Sequence, residues 1–151
     1  HINIYLYLTN ENYWIMKSEP DVFSIDQLEN LKKATWDGVR NYQVRNMFRD
    51  EMQPKDLAFF YHSSCEKIGI AGILEVNSKA YPDATFKEEK NPWLVVDVKF
   101  IAKFPKIISR QDLQATHKLK NLRILDKGSR LSVTKITKEE FETIKTLGAL
   151  L

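Results

Sequence analysis

The sequence predicts an α+β domain, a mostly antiparallel, barrel-like sheet of five to six strands with short helices packed around it. Alternating apolar residues mark strands of unequal length, and capping signatures open short helices. The strands are not interleaved with full helical crossovers, which disfavours a doubly wound parallel sheet. The 151 residues suit one domain with a real core, and 43% hydrophobic and 28% charged residues describe an ordinary globule rather than a disordered chain.

The elements follow in chain order. Residues 1–12 read as an upstream extension or tag remnant: they lack a leading Met and a basic n-region, although the alternation of Ile2, Ile4, Leu6 and Leu8 would support an extra edge strand. Residues 13–151 then form the single domain. Tyr13 to Lys17 is the first strand. Ser24 and Gln27 make a capping box that opens a helix through Leu28 and Leu31. Asn41 is set to cap a second helix whose Val44, Met47, Phe48 and Met52 share the core face, and Pro54 ends it. Leu57 to Tyr61 and Gly69 to Val76 are strands joined by a loop. Trp93 to Phe104 is the longest strand, with Val96, Val98, Phe100 and Ala102 on one face and Asp97, Lys99 and Lys103 on the other. Ser109 with Asp112 starts another helix. Thr137 with Glu140 caps a last one, which buries Phe141, Ile144 and Leu147 and stops near Gly148.

Chemistry concentrates in Trp36-Asp37-Gly38-Val39-Arg40-Asn41-Tyr42-Gln43-Val44-Arg45-Asn46. An indole, a phenol, two guanidiniums and carboxamides surround one glycine turn that enters a helix. Flat π faces, forked donors and an amide edge are the groups that hold a nucleobase. Trp36 is flanked by the turn formers Thr35, Asp37 and Gly38, so its ring is expected to line a cleft. Trp14, in an apolar strand, has a core reading of equal weight. Trp93, after Pro92 at a strand start, reads as core.

Charge is uneven. From Lys99 to Lys135 there are ten Lys and Arg against Asp112 and Asp126, while the rest of the chain carries 13 basic and 18 acidic residues. Gathered on one face, such a stretch attracts phosphate; scattered, it is a solvated surface. Arg45, Arg110, Lys118, Lys120, Arg123 and Lys127 are the candidate phosphate contacts.

Catalytic and cofactor signatures are missing. His62, Ser63, Ser64, Cys65 and Glu66 cluster in sequence, but adjacency is not triad geometry. No Cys or His spacing suits zinc, no glycine-rich phosphate loop is present, and no metal, cofactor or catalytic residue is expected. A single cysteine excludes an internal disulfide, and no apolar run reaches the roughly 18 residues of a membrane span. The compact chain without a basic tail fits a bacterial cytoplasm better than a nucleus. An enzyme acting on nucleic acid (a nuclease or base-modifying hydrolase) and a peptide-binding module stand as alternatives to a base-recognition module.

Four motifs, Tyr13-Trp14-Ile15-Met16-Lys17-Ser18-Glu19-Pro20, the Trp36 segment, Phe59-Phe60-Tyr61-His62-Ser63 and Ser129-Arg130-Leu131-Ser132-Val133, agree in order and spacing with the EVE domain family. The chain resembles that family from about Tyr13 to Gly148. The resemblance implies a PUA-like fold and a pocket between the first strand's end, the Trp36 turn and the strand carrying Ser132. It assigns Lys17, Ser18 and Glu19 to one wall, and Trp36, Val39, Arg40 and Asn41 to another. Tyr61, His62 and Ser63 would form the floor or rim, Arg130 and Ser132 would close the set, and Trp14 is carried as a further candidate. In relatives such pockets accept an extruded, modified base such as methylated or hydroxymethylated cytosine, so the implied partner is DNA or RNA with a modified base. Val44 stands where relatives often have Ala, a modest departure on a core face.

Overall fold

The computed structural model describes residues 12–150, so the reading of the first residues as an extension or tag remnant, with an edge strand as the alternative, falls on residues outside those described. In chain order the elements are β1 (Tyr13–Ser18), α1 (Ile25–Leu31), β2 (Lys33–Trp36), α2 (Tyr42–Asp50), β3 (Leu57–His62), β4 (Gly69–Val76), β5 (Tyr81–Pro82), β6 (Leu94–Ser109), α3 (Arg110–Ala115), β7 (Val133–Ile136) and α4 (Lys138–Leu150). Short 3-10 turns at His117–Leu119 and Arg123–Leu125 lie between α3 and β7.

Among the described residues, seven strands form one sheet in the order β2-β6-β4-β3-β1-β7, with β5 added on β6. The class is α+β as the sequence predicts, and among the described residues the path ends at β2 and β7 without closing on itself. All pairs are antiparallel except β1 with β3. Those two central strands are covered on both faces, as their near-continuous apolar runs require. Trp14, Met16, Ala58 and Phe60 join one core, while Tyr13, Ile15, Phe59 and Tyr61 join the other. The period-2 alternation of a strand sorts them.

The caps form as expected. Ser24 and Gln27 close a reciprocal box over α1 (3.1 and 2.8 Å). Asn41 Oδ1 accepts the Val44 N–H at 3.1 Å to start α2, and Ser109 accepts from Asp112 N–H to start α3. Thr137 and Glu140 exchange bonds of 2.8 and 3.0 Å over α4.

Three expectations are corrected. Thr35, expected in a turn, lies instead in the edge strand β2, where Trp36 is opposite Val96 and Lys33 opposite Lys99. β6 continues past Phe104 to Ser109 because a bulge absorbs Pro105. The β4–β6 register steps from Gly72↔Lys103 to Ile70↔Ile108, so Ala71 alone faces Phe104, Pro105, Lys106 and Ile107. Finally, α4 runs through Gly148, which is a packing site and not a cap: a Cβ there would lie 2.7 Å from the Phe104 ring.

Candidate functional site

β1 and β7 diverge beyond Met16↔Val133, where the Lys17 N–H still donates to the Ser132 carbonyl at 2.7 Å. Facing this opening are the end of β2, the turn into α2, and the segment between β1 and α1. Together they bound a cleft of about 760 Å³ lined by Lys17, Ser18, Trp36, Val39, Arg40, Asn41, Arg130 and Ser132. Phe23, Ala34 and the exposed Val22 and Leu31 supply apolar wall and lip. Ammonium, hydroxyl, amide and guanidinium groups thus share one concavity with an indole. That combination fits a flat heterocycle with a polar edge.

Trp36 has a double role. It is only 6% exposed, packing edge-on against Phe60 (5.3 Å) and Phe23 (6.0 Å), yet it borders the cleft. The ring borders the cleft that its neighbours in sequence point to, while the strand pairing of β2 draws its body into the core.

Asp83, missed by the sequence reading, holds the turn that follows. Its carboxylate is fully buried and accepts from Gly38 N–H (3.0 Å), Arg40 Nη1 (3.0 Å), Thr85 N–H (2.8 Å) and Thr85 Oγ1 (2.6 Å). Burial alone would raise its pKa, but the hydrogen bonds from Thr85, Arg40 and Gly38 outweigh it and hold the group well below the usual carboxylate range. Asp83-Ala84-Thr85 is a recognisable Asx turn in sequence; nothing local announces its partners at Gly38 and Arg40. Gly38 adopts φ +79°, the left-handed region that favours glycine. Arg40 also lies over the rings of Phe86 (5.3 Å) and Trp93 (5.7 Å), so its guanidinium is a strut as much as a cleft group.

The EVE domain model matches residues 12–147. This chain belongs to the EVE domain family. Mouse thymocyte nuclear protein 1 is 39% identical over an alignment covering 90% of this chain and 73% of that protein. A Pseudomonas syringae crystal structure is similar at 45% identity and TM-score 0.84, covering 90% of this chain and 99% of the other. Human THYN1, solved in complex with 5-methylcytosine-containing DNA, is similar at 36% identity and TM-score 0.82, with 91% and 98% covered.

In this EVE domain not every residue assigned by resemblance reaches the cleft. Trp14 is fully buried, and its Nε1–H donates to Asp56 Oδ2 at 3.0 Å, which makes it core. Tyr61 is 1% exposed in the opposite core, because its position on β3 points to the other face. Glu19 is exposed on the turn beside the cleft, where its carbonyl accepts the N–H groups of Val22 and Phe23. Ser63 touches the cleft wall only through its backbone, donating to the Ser18 carbonyl at 3.0 Å.

His62 opens instead into a second cleft, of about 730 Å³, beneath the β6 bulge. The ring is 7% exposed, and its Nε2 accepts the Ile25 N–H at 3.2 Å. Burial, foremost, lowers its pKa, so it is neutral at physiological pH. With Nε2 so occupied the imidazole is not a free base toward Cys65, a half-buried thiol.

Among the expected phosphate contacts, Arg45 is partly engaged: it donates to the Pro92 carbonyl (3.2 Å) and lies over the Tyr42 ring. Arg110 donates to the Leu125 carbonyl (3.0 Å) and borders the second cleft. Lys118, Lys120, Arg123 and Lys127 are exposed on the segment leading to Arg130. The described residues contain no group of three or more His, Cys, Asp or Glu side chains able to hold a metal, and no helix long and apolar enough to cross a membrane.

Proposed function

We propose that this protein is a nucleic-acid-binding module that receives a modified base in the Trp36 cleft, with a cytosine methylated or hydroxymethylated at C5 as the leading ligand. The observation that carries the reading is the cleft's composition. Trp36, Val39, Phe23 and Ala34 offer apolar surface to a ring and its added methyl, while Lys17, Ser18, Asn41, Arg130 and Ser132 offer polar contacts to its edge. The crystal form of human THYN1 with 5-methylcytosine-containing DNA supports the choice of ligand class. Placing a base there requires its extrusion, which costs a few kcal/mol, recovered by stacking and edge hydrogen bonds. The protein binds without chemistry: aromatics, amides, guanidiniums and an ammonium do not shuttle protons near neutral pH, and the one imidazole of the motifs is occupied by the Ile25 amide.

The test is a titration of duplex and single-stranded oligonucleotides, in DNA and RNA, carrying one 5-methylcytosine, one 5-hydroxymethylcytosine or no modification. One extra methyl in an apolar pocket discriminates by about 10–200-fold, and that is the expected preference, with every product mass unchanged. Equal affinity for all modified and unmodified strands would refute the base reading, and turnover would replace it with the enzyme alternative.

A further inference from the structure

The second cleft is built, not incidental. Opposite Ala71, β6 arches away over Phe104 to Ile107, and the sheet closes again on either side at two glycines. A Cβ on Gly72 would collide with the Ala102 carbonyl oxygen, and one on Gly69 with that of Ile108. Backbone approaches this close are open only to glycine, so the sequence pins both feet of the arch.

Donors converge on the space beneath it. His62 Nε2 accepts the Ile25 N–H, so the proton of the neutral ring resides on Nδ1. That Nδ1–H has no protein partner among the described residues and is not sealed off as a buried unsatisfied atom, and it belongs to a residue that lines the cleft. Four cations (Lys67, Lys103, Lys106 and Arg110) line the same space against two carboxylates, Asp26 and Glu66. Asp26 is already paired with Lys103. Lys67 and Lys106 are exposed and make no ion pair among the described residues, so their charge is uncommitted.

The two clefts share a wall. Ser18, in the Trp36 cleft, is the register partner of His62, in the second, and paired strands lie about 4.8 Å apart. The partition is the segment Phe23–Ile25. Ser18 Oγ donates to the Phe23 carbonyl on one side (2.9 Å), and His62 receives the Ile25 N–H on the other. Phe23 faces the first cleft and Ile25 the second. The two clefts are thus separated by one strand spacing and one short segment of chain.

We infer that the cleft beneath the β6 arch binds a backbone phosphate of the nucleic acid whose base enters the neighbouring cleft, with His62 Nδ1–H, Lys67, Lys106 and Arg110 as the donors. The inference rests on the nucleic-acid reading above and adds a second site to it. Such a contact carries no sequence information; it sets register.

The experiment pairs the double variant Lys67→Glu/Lys106→Glu with a charge-matched control on the exposed side of α4, Lys138→Glu/Lys145→Glu. Affinity is measured across a salt series for modified and unmodified oligonucleotides, and separately for free 5-methyl-2′-deoxycytidine. The cleft variant should lose on the order of tenfold more affinity than the control on both oligonucleotides, and its log–log salt slope should fall by about one. Free nucleoside affinity should not change. Equal losses in the cleft and control variants would overturn the phosphate site while leaving the base cleft standing. Absence of nucleoside binding alongside a cleft-specific loss would instead sink the base reading and leave a phosphate site that holds the nucleic-acid backbone alone. A third arm titrates inorganic phosphate and a nucleoside 5′-monophosphate while following the His62 ring and Ile25 amide by NMR. Millimolar, non-selective shifts fit a backbone contact. Saturation at micromolar concentration would overturn the inference in favour of a small phosphorylated ligand.

Discussion

Replacing Asp83 with Asn keeps the shape of a fully buried side chain and removes its charge. One carboxylate oxygen serves Thr85 N–H and Oγ1; the other serves Gly38 N–H and Arg40 Nη1. An amide can accept from only one of these pairs and must turn its NH2 toward the other, setting donor against donor. The Thr85 pair is local and stays with the oxygen, so Gly38 and Arg40 lose their acceptor. A buried amide left unsatisfied costs about 1–3 kcal/mol, and a lost charge-assisted bond costs a similar amount. The Arg40 side chain is 38% exposed, so water recovers part of the second contribution. The net expectation is about 3 kcal/mol, which for a chain of this size lowers Tm by about 6–12 °C.

The sign of the pH dependence follows from the direction of the Asp83 shift. Its carboxyl is held below the usual range when folded, so its stabilisation is fully present above the unfolded pKa of about 3.9. It is lost as pH falls below that value toward the folded one. Thermal melts of wild type and Asp83→Asn at pH 7 should therefore differ by the full amount and converge as the pH is lowered from about 4 toward 2. A Tm difference under about 2 °C at pH 7, or one that is unchanged at pH 3, would refute the clamp.

Trp36→Ala should cost about 3–5 kcal/mol of stability because the indole packs on Phe23 and Phe60. Trp36→Phe should retain the fold by calorimetry and still weaken base binding. His62 is depressed mainly by burial, with Lys103 acting in the same direction and Asp26 opposing, and its stabilisation should be present above about pH 6.5 and decline as pH falls. Urea melts at pH 8 and pH 5 read this, and His62→Gln should flatten the difference. Gly72→Ala places a methyl against the Ala102 carbonyl and should destabilise by about 1–3 kcal/mol or more. A mutant melting within 1 °C of wild type would mean that the arch is not pinned there.

Local rules carried the sequence reading wherever a residue's partner is a few positions away. The caps at Ser24, Asn41, Ser109 and Thr137 follow from side chains reaching N–H groups within one helical turn. The Trp36 segment was legible for the same reason, since Trp36, Val39, Arg40 and Asn41 lie in one turn and arrive in the cleft together. What failed depends on long-range pairing. β2 becomes a strand because β6 offers it an edge more than 60 residues away, as in the Thr35–Asp97 side-chain bond. Tyr61 and His62 share a motif with Ser63, yet successive strand residues face opposite sides, so the motif cannot enter one pocket as a block. The family pattern marks which positions are kept together in sequence, whereas strand alternation decides which share a space.

The Asp83 clamp also bears on how fast and how selectively a ligand is taken. Gly38 and Arg40 are tied to a carboxylate that is itself locked by Thr85, and Asn41 is tied to the first turn of α2. The wall that meets the ligand is therefore fixed before the ligand arrives, and little conformational freedom remains to be lost on capture. Arrival then involves no ordering of this loop, and related bases should associate at similar rates. Discrimination is expressed in how long each one stays.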